Sequence, residues 1–337
     1  MRIAVYGASG FTGRLAVAEL RRRGIATALV GRDPDRLQAV GGAGAAVRVA
    51  DPADPAALTA AFADCDAVVN CAGPFTFWGE PVVRAAIGAG AHYVDTTGEQ
   101  HYLRRVFDGF GAQAERAGVT VVPAMTDDGG PGDLIAALTA ARVAPVDRLL
   151  IADLREPGSG ASRGTARSMA AIGDEEPLEY RDGALRPADG PAPQPIVPPG
   201  GADAVPLSVF ALPGVVTVPR HVTARRVHGA IRSEVAALFA ALTPDVVESV
   251  PETVPEEVRS AGRWLMAAEA VGADGRSARG WVTGHDAYGL TAVIAVEGAL
   301  RLAAGKAAPG VLSPAQAFEP AGFLDALAPS GVRWQVD

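Results

Sequence analysis

The opening stretch Met1-Arg-Ile-Ala-Val-Tyr-Gly-Ala-Ser-Gly-Phe-Thr-Gly13 constrains this chain more than any other. A short apolar run ends at Gly7. Two further glycines, Gly10 and Gly13, follow at three-residue spacing, and an amphipathic helix pattern begins at once. Strand, tight turn and helix in that order bring the turn's N–H groups and the positive end of the helix to one place, which suits a pyrophosphate. Gly7, Ser9, Gly10, Phe11, Thr12 and Gly13 are the residues expected to line a dinucleotide site there. A βα turn with no ligand is the plain alternative, but the triplet stands in the strand-then-helix context that the motif requires.

The first third of the chain keeps that rhythm. Strands are expected at Arg2–Tyr6, Thr27–Gly31, Ala46–Ala50, Ala67–Cys71, His92–Asp95 and Val119–Pro123. Helices are expected at Phe11–Arg23, from Asp33-Pro34 onward, and near Pro55–Ala63, Glu80–Ala89 and Glu99–Ala117. Asp33 and Pro34 carry N-cap and first-turn chemistry. Arg21, Arg22 and Arg23 suit the negative end of the first helix, which Gly24 stops. Strands separated by helices mean right-handed crossovers and a doubly wound parallel sheet.

The pattern changes near Ala124. A glycine-rich turn is expected over Met125–Asp133, a helix over Leu134–Arg142 and a strand over Asp147–Arg155. Gly183–Ala204, rich in Pro, Gly and Asp, reads as an exposed excursion or a loop over the cleft. Trp264–Val271 and Ser277–Thr283 alternate as a hairpin about Gly272–Arg276. Ala287–Ala304 and Gly322–Ala328 read as helices, and Val332–Val336 as a closing strand. No internal repeat is visible.

A length of 337 residues exceeds what one core usually serves, so two lobes are expected. The formal net charge of −8 argues against a nucleic-acid partner. Cys65 and Cys71 match no zinc or redox spacing, and so few thiols point to a reducing, cytoplasmic setting. The first strand begins at Arg2, so no signal peptide is expected. The best apolar run, Leu290 to Leu302, is short for a bilayer and carries Glu297 and Arg301, so no membrane partner is expected.

The end of the second strand bears on which dinucleotide binds. NAD-selective sheets place an acid there for the ribose 2′-OH. Here Gly31 and Arg32 occupy that place, and a guanidinium pairs well with a phosphate. The expected cofactor is NADP (NADPH), with Arg32 on the 2′-phosphate and Arg36 one helical turn on; a solvated Arg32 is the alternative. Ala72, Gly73 and Pro74, after the fourth strand, leave room for the cofactor near the switch point. Asn70 reads as a satisfied polar residue at a strand end. Asp51 is either an adenine contact or a turn cap.

Some chemistries are excluded. The residues four beyond Tyr6, Tyr93, Tyr102, Tyr180 and Tyr288 are Gly10, Thr97, Val106, Ala184 and Ala292, so no Tyr-x-x-x-Lys proton relay exists. No His-Glu-x-x-His motif occurs, and five scattered histidines suggest no metal site. Two polar segments remain. His92-Tyr-Val-Asp-Thr-Thr-Gly-Glu-Gln-His-Tyr102 gathers polar groups where a nicotinamide ring should lie. Pro123-Ala-Met-Thr-Asp-Asp-Gly-Gly-Pro-Gly-Asp133 offers N–H groups suited to a developing oxyanion. Capped turns explain each equally well.

With the glycine turn, these segments resemble the saccharopine dehydrogenase-like NADP-binding family, in the branch containing trans-acting enoyl reductases. The matching stretches are Val5–Leu15, Leu29–Leu37, Asn70–Phe75, Gly79–Val83 and His92–Glu99, with weaker matches at Pro123–Leu134, Gly284–Ala292 and Gly310–Pro314. The loop Thr126–Asp133 lacks the serine usual there.

The resemblance implies a Rossmann NADP-binding domain over 1–125, a mixed α/β (α+β) substrate domain over 126–286, and a segment 287–337 returning to the first. It also implies hydride transfer from NADPH to an electron-poor C=C or C=N bond. For an enoyl substrate, a donor near Thr97, Gly98 or Tyr102 holds the enolate oxygen, and His101 or Tyr93 supplies the proton. For an imine, Asp95, Glu99, Asp127 or Asp128 steers the iminium. Tyr93, Asp95, Thr97, His101 and Tyr102 are therefore the candidate catalytic residues. A small-molecule or carrier-bound acyl substrate is expected, and a homodimer stays open. The basic stretch Arg220, His221, Arg225, Arg226, His228 and Arg232 is either a carrier-docking face or a solvated strand or helix face, the latter being the simpler reading. A non-catalytic NADP-binding redox sensor is the alternative from a different class.

Overall fold

The computed structural model describes residues 1–158, 160–173 and 175–337. They divide into two units. The first comprises 1–97, 101–126 and 288–312; the second comprises 98–100, 127–287 and 313–337.

In the first unit the strands are β1 (Arg2–Tyr6), β2 (Ala26–Gly31), β3 (Ala46–Val49), β4 (Ala67–Asn70), β5 (His92–Asp95) and β6 (Thr120–Val122). Between them lie α1 (Phe11–Arg22), α2 (Pro34–Gly41), α3 (Pro55–Phe62), α4 (Phe75–Gly88) and α5 (Gln100–Ala117). Among the described residues one sheet has seven strands, in the order β14-β6-β5-β4-β1-β2-β3, where β14 is Gly310–Val311. All its pairings are parallel. The order reverses between β1 and β4, which makes that crevice the switch point of a doubly wound sheet. Local chemistry sets the helix starts: the Asp33 side chain accepts from Arg36 N and Asp54 from Ala56 N and Ala57 N, each ahead of a proline at the first helical position.

One helix begins earlier than the sequence suggests. α4 starts at Phe75, not Glu80, and runs through Pro81. Pro81 invites a helix start because it lacks an N–H. Tertiary contacts hold the turn before it: Phe75 packs on Tyr102, and Arg105 donates to the Thr76 carbonyl.

The second unit contains α6 (Gly130–Ala140), β7 (Val146–Asp153), α7 (Arg163–Ala171), β8 (Leu178–Arg181), β9 (Ala184–Pro187), β10 (Leu207–Val209), α8 (Gly214–Thr217) and β11 (Ala224–Arg232). It continues with α9 (Ser233–Ala240), α10 (Pro244–Ser249), α11 (Glu256–Ala261), β12 (Arg263–Gly272) and β13 (Ser277–His285). After α12 (Ala287–Ala303) come α13 (Pro314–Ala317), α14 (Pro320–Ala326) and β15 (Arg333–Val336). Its mixed sheet runs β15-β13-β12-β7-β11-β8-β9, with β10 on β11. The β7–β11 pair is parallel and the other pairings are antiparallel.

Two expectations need correction, and a third gains detail. Segment 287–337 does not return as a whole to the first unit. Residues 288–312 do, through Arg23–Glu297 between α1 and α12 and through β14 on β6; 313–337 belong to the second unit, where β15 pairs with β13. The span Gly183–Ala204 is mostly exposed, as expected, with Ile196 its one buried residue. Asp182 and Gly183 turn the β8–β9 hairpin with positive φ, and Ile196 bridges Val205 in a small core with Leu150, Ala152 and Leu207. Finally, α6 begins at Gly130 rather than Leu134, because Pro131 fits a first turn whose N–H groups are unpaired anyway.

Candidate functional site

The glycine turn has a stereochemical cause. Gly7 lies at φ +76°, a conformation side-chain-bearing residues avoid, and its N–H donates to Val30 O at 2.9 Å. Gly10 N donates to Gly7 O at 2.9 Å, closing the turn. A Cβ at Gly13 would collide with the Gly7 carbonyl oxygen and lie 2.8 Å from its carbon. Helix α1 thus starts flush against the loop, and Gly10 at its N-cap provides no side-chain acceptor. The first-turn N–H groups of α1 are left for an anion. Ser9, Phe11 and Thr12 surround this opening and are partly exposed. The Phe11 ring rests on Tyr288 of α12 at 4.9 Å.

Ala72 borders the same turn. A Cβ at Gly7 would come within 2.9 Å of Ala72 Cβ, so the loops after β1 and β4 touch. Ala72 N donates to Asn70 Oδ1 at 3.0 Å, Gly73 is exposed, and Pro74 leads into α4. Arg32 is exposed at the end of β2 and forms no ion pair among the described residues. Burial pushes the Tyr6 phenol up to about 12, with nearby Arg32 opposing. Asp51 is exposed and its Oδ1 accepts from Ala53 N at 2.8 Å, which is turn-capping geometry.

The candidate catalytic residues divide sharply. Asp95 is fully buried and takes four hydrogen bonds. Ala124 N (2.9 Å) and Thr97 N (3.2 Å) donate to Oδ1; the Tyr93 and Tyr102 hydroxyls, both at 3.0 Å, donate to Oδ2. Asn70 Nδ2 donates to the Tyr93 oxygen at 3.0 Å. Burial pushes Asp95 up to about 6 while its four donors pull the other way. The same burial and the Asp95 charge hold both phenols well above their ordinary value. Tyr93 and Tyr102 have no exposed surface. Their hydroxyls are turned inward to Asp95, so the proton-donor role expected of Tyr93 and the oxyanion role expected of Tyr102 do not fit this arrangement. Thr97 is likewise enclosed, whereas His101, in the first turn of α5, is partly exposed. The knot ties the exits of β4, β5 and β6 to α5, and it holds Ala124 at φ +61°.

In the second unit Arg155 pairs with Asp153 and with Asp127 Oδ2 at 3.1 Å. Burial works against its charge, and Asp153, Asp127 and Asp128 outweigh burial and raise it. Asp133 is fully buried; it meets His221 Nε2 at 3.0 Å and accepts from Ala315 N at 2.8 Å. The sequence reading missed this role of Asp133 and the whole of Arg155. Strand periodicity carried a signal: Tyr93 and Asp95, like Asp153 and Arg155, are two residues apart on or beside one strand and so share a face.

In the basic stretch 220–232, where a solvated strand or helix face is the simpler expectation, three arginines are ion-paired. Most of the stretch is β11, and Arg225 pairs with Asp147, Arg226 with buried Glu179, and Arg232 with Glu234. His228 is pushed down to about 4 by burial, with Arg226 adding to the effect. Among the described residues, no helix is long and apolar enough to cross a membrane and no cluster of His, Cys, Asp and Glu is suited to a metal.

Comparison with known proteins agrees with this geometry. The family model for the saccharopine dehydrogenase NADP binding domain matches residues 3–122. A lipid droplet localized protein of Caenorhabditis elegans is 36% identical over 146 residues, covering 39% of this chain and 34% of that one. A trans-acting enoyl reductase of Mycobacterium tuberculosis is 36% identical over 140 residues, with coverage of 39% and 34%. The match thus spans about a third of the length of these curated relatives. The solved structure of apo histidine-tagged saccharopine dehydrogenase (L-Glu forming) from Saccharomyces cerevisiae aligns over 100% of this chain and 99% of its own, with a TM-score of 0.66 and 14% identity. At that identity the likeness speaks for the fold alone. The glycine turn, the switch-point sheet and the matched model together make residues 3–122 a saccharopine dehydrogenase-type NADP-binding domain.

Proposed function

We propose that this chain is an NADPH-dependent reductase that delivers hydride to a conjugated C=C bond of an acyl thioester or similar small molecule. The observation that carries the cofactor half is the cradle: Gly13 presses on Gly7, α1 opens without a side-chain cap, and exposed Arg32 forms no ion pair among the described residues at the end of β2. The α1 N-terminus would hold the pyrophosphate and Arg32 the 2′-phosphate. Ala72, Gly73 and Pro74 let the cofactor approach the backbone. When bound, NADPH supplies the hydride. His101 protonates the α-carbon after hydride reaches the β-carbon, since it alone of the five candidate side chains is partly exposed. The Asp95 knot keeps the loops after β5 and β6 in place around that step.

The relative named as a trans-acting enoyl reductase supports the C=C reading. Two of the acids suited to steering an iminium are otherwise engaged: Asp95 in the buried knot and Asp127 with Arg155. The pairing of Arg225, Arg226 and Arg232 favours a small thioester over a large acidic carrier docked on β11.

The test is NADPH consumption with crotonyl-CoA, dodecenoyl-CoA and a panel of cyclic imines. Turnover of an enoyl thioester is expected, and His101→Gln should lower kcat roughly a hundredfold, the scale of a lost general acid, with NADPH affinity kept. Turnover of imines alone would replace this reading with imine reduction. Tight NADPH binding without turnover of any substrate would replace it with a redox sensor.

A further inference from the structure

The first turn of α4 is firmly built on one side and bare on the other. On the inner side Phe75 is buried with its ring 5.7 Å from that of Tyr102. Gly79 faces the same ring: a Cβ there would come within 2.7 Å of the Tyr102 oxygen. Arg105 of α5 donates to Glu80 Oε1 at 2.7 Å and to the Thr76 carbonyl at 3.1 Å, clamping the turn from outside. On the outer side Phe77 and Trp78 are 58% and 43% exposed. They are the only aromatic rings among the exposed large apolar side chains of the described residues. The clamp prevents them from folding inward. Holding two neighbouring rings in water forfeits the gain from burying them, and a partner that covered them would recover it.

Position identifies that partner. The turn follows Ala72–Pro74 directly, and Ala72 touches the glycine turn at Gly7. The helix turn that carries the rings therefore starts from the loop at the switch-point crevice, where ligands of such sheets lie. Resting on the reductase reading above, we infer that Phe77 and Trp78 form a fixed apolar lip that receives the hydrocarbon chain of the acyl substrate. The lip selects long chains over short ones. A ring that passes from water to hydrocarbon contact gains free energy with each methylene it covers, and a crotonyl-sized group has few methylenes to offer.

Equilibrium binding of saturated thioesters tests the lip separately from turnover. With NADP present, dodecanoyl-CoA should bind the unaltered protein at least roughly a hundredfold more tightly than butyryl-CoA, on a scale of about 0.8 kcal/mol per buried methylene. Phe77→Ser and Trp78→Ser should each remove roughly tenfold or more of that preference. NADP affinity serves as the check on folding, and Trp78→Phe should restore the preference. Dodecanoyl-CoA should also quench the part of the fluorescence that Trp78→Phe removes. Equal preference in the serine variants and the unaltered protein, or no binding of dodecanoyl-CoA, would overturn the lip. So would self-association or vesicle binding that the serine variants abolish while thioester affinity stays unchanged. If dodecanoyl-CoA shows the lip-dependent preference but no enoyl thioester consumes NADPH, the lip stands and the reductase reading falls.

Discussion

Replacing Tyr102 by phenylalanine separates a structural tyrosine from a catalytic one. The ring is fully buried against Phe75 and Gly79, and phenylalanine keeps that packing. The substitution removes the hydroxyl that donates to Asp95 Oδ2 at 3.0 Å and lies 3.2 Å from the Tyr93 oxygen. A hydrogen bond to a charged acceptor contributes about 1.5–3 kcal/mol. At about 2–4 °C per kcal/mol for domains of this size, the first thermal transition should fall by roughly 3–12 °C. The deficit should also depend on pH. Burial raises Asp95 in the folded chain to about 6, so its stabilising share is complete below the ordinary carboxylate range and is lost as pH rises through about 6. Losing a donor to the carboxylate raises Asp95 further, so the variant should lose more at pH 8 than at pH 5. Differential scanning calorimetry across that range reads both effects, and kcat for an enoyl thioester should change only a few-fold. An unchanged transition with a hundredfold fall in kcat would refute the reasoning and restore Tyr102 to the chemistry.

Three further outcomes can be checked directly. Gly13→Ala drives a methyl into the Gly7 carbonyl, and neither backbone segment can move without opening the turn; stability should fall by about 1–3 kcal/mol and NADPH binding should vanish in calorimetric titration, whereas retained affinity would show that the turn does not hold the phosphates. Arg32→Ala should weaken NADPH roughly tenfold and NADH little, a modest factor because the guanidinium is exposed and screened; equal weakening would contradict the 2′-phosphate assignment. Burial opposes the His221 charge, but Asp133 outweighs it and raises the ring above its ordinary value, so the pair stabilises fully below about pH 6.5 and that share is lost as pH climbs through the raised value; His221→Gln should flatten this part of the melting-temperature profile, and an unchanged profile would dismiss the pair.

Features carried by local chemistry were legible in the chain. The β1 turn, the caps at Asp33 and the 263–285 hairpin depend on residues within a few positions of one another. Strand-helix alternation through residue 122 likewise reports a parallel sheet without any distant contact. The glycine spacing therefore pointed to a dinucleotide site before any fold was known, and the matched family model names NADP for residues 3–122.

Roles set by distant partners were not legible. Tyr93, Asp95 and Tyr102 stand out in sequence as polar groups near a cofactor, a pattern shared by an open catalytic site and a closed knot. Only the fold turns their oxygens onto one another and seals them under α4 and α5. The arginines of β11 look like a free basic face until the sheet brings Asp147 and Glu179 beside them. The last 50 residues carry no local sign that they divide between two units, because that depends on β14 finding β6 and β15 finding β13. Sequence by itself determined where the backbone turns and what the first turn is suited to hold, since those properties arise from φ preferences, caps and short-range periodicity. Which charges are spent and which side chains face water was decided only by tertiary structure, since burial and ion pairing arise between residues that the chain keeps far apart until it folds.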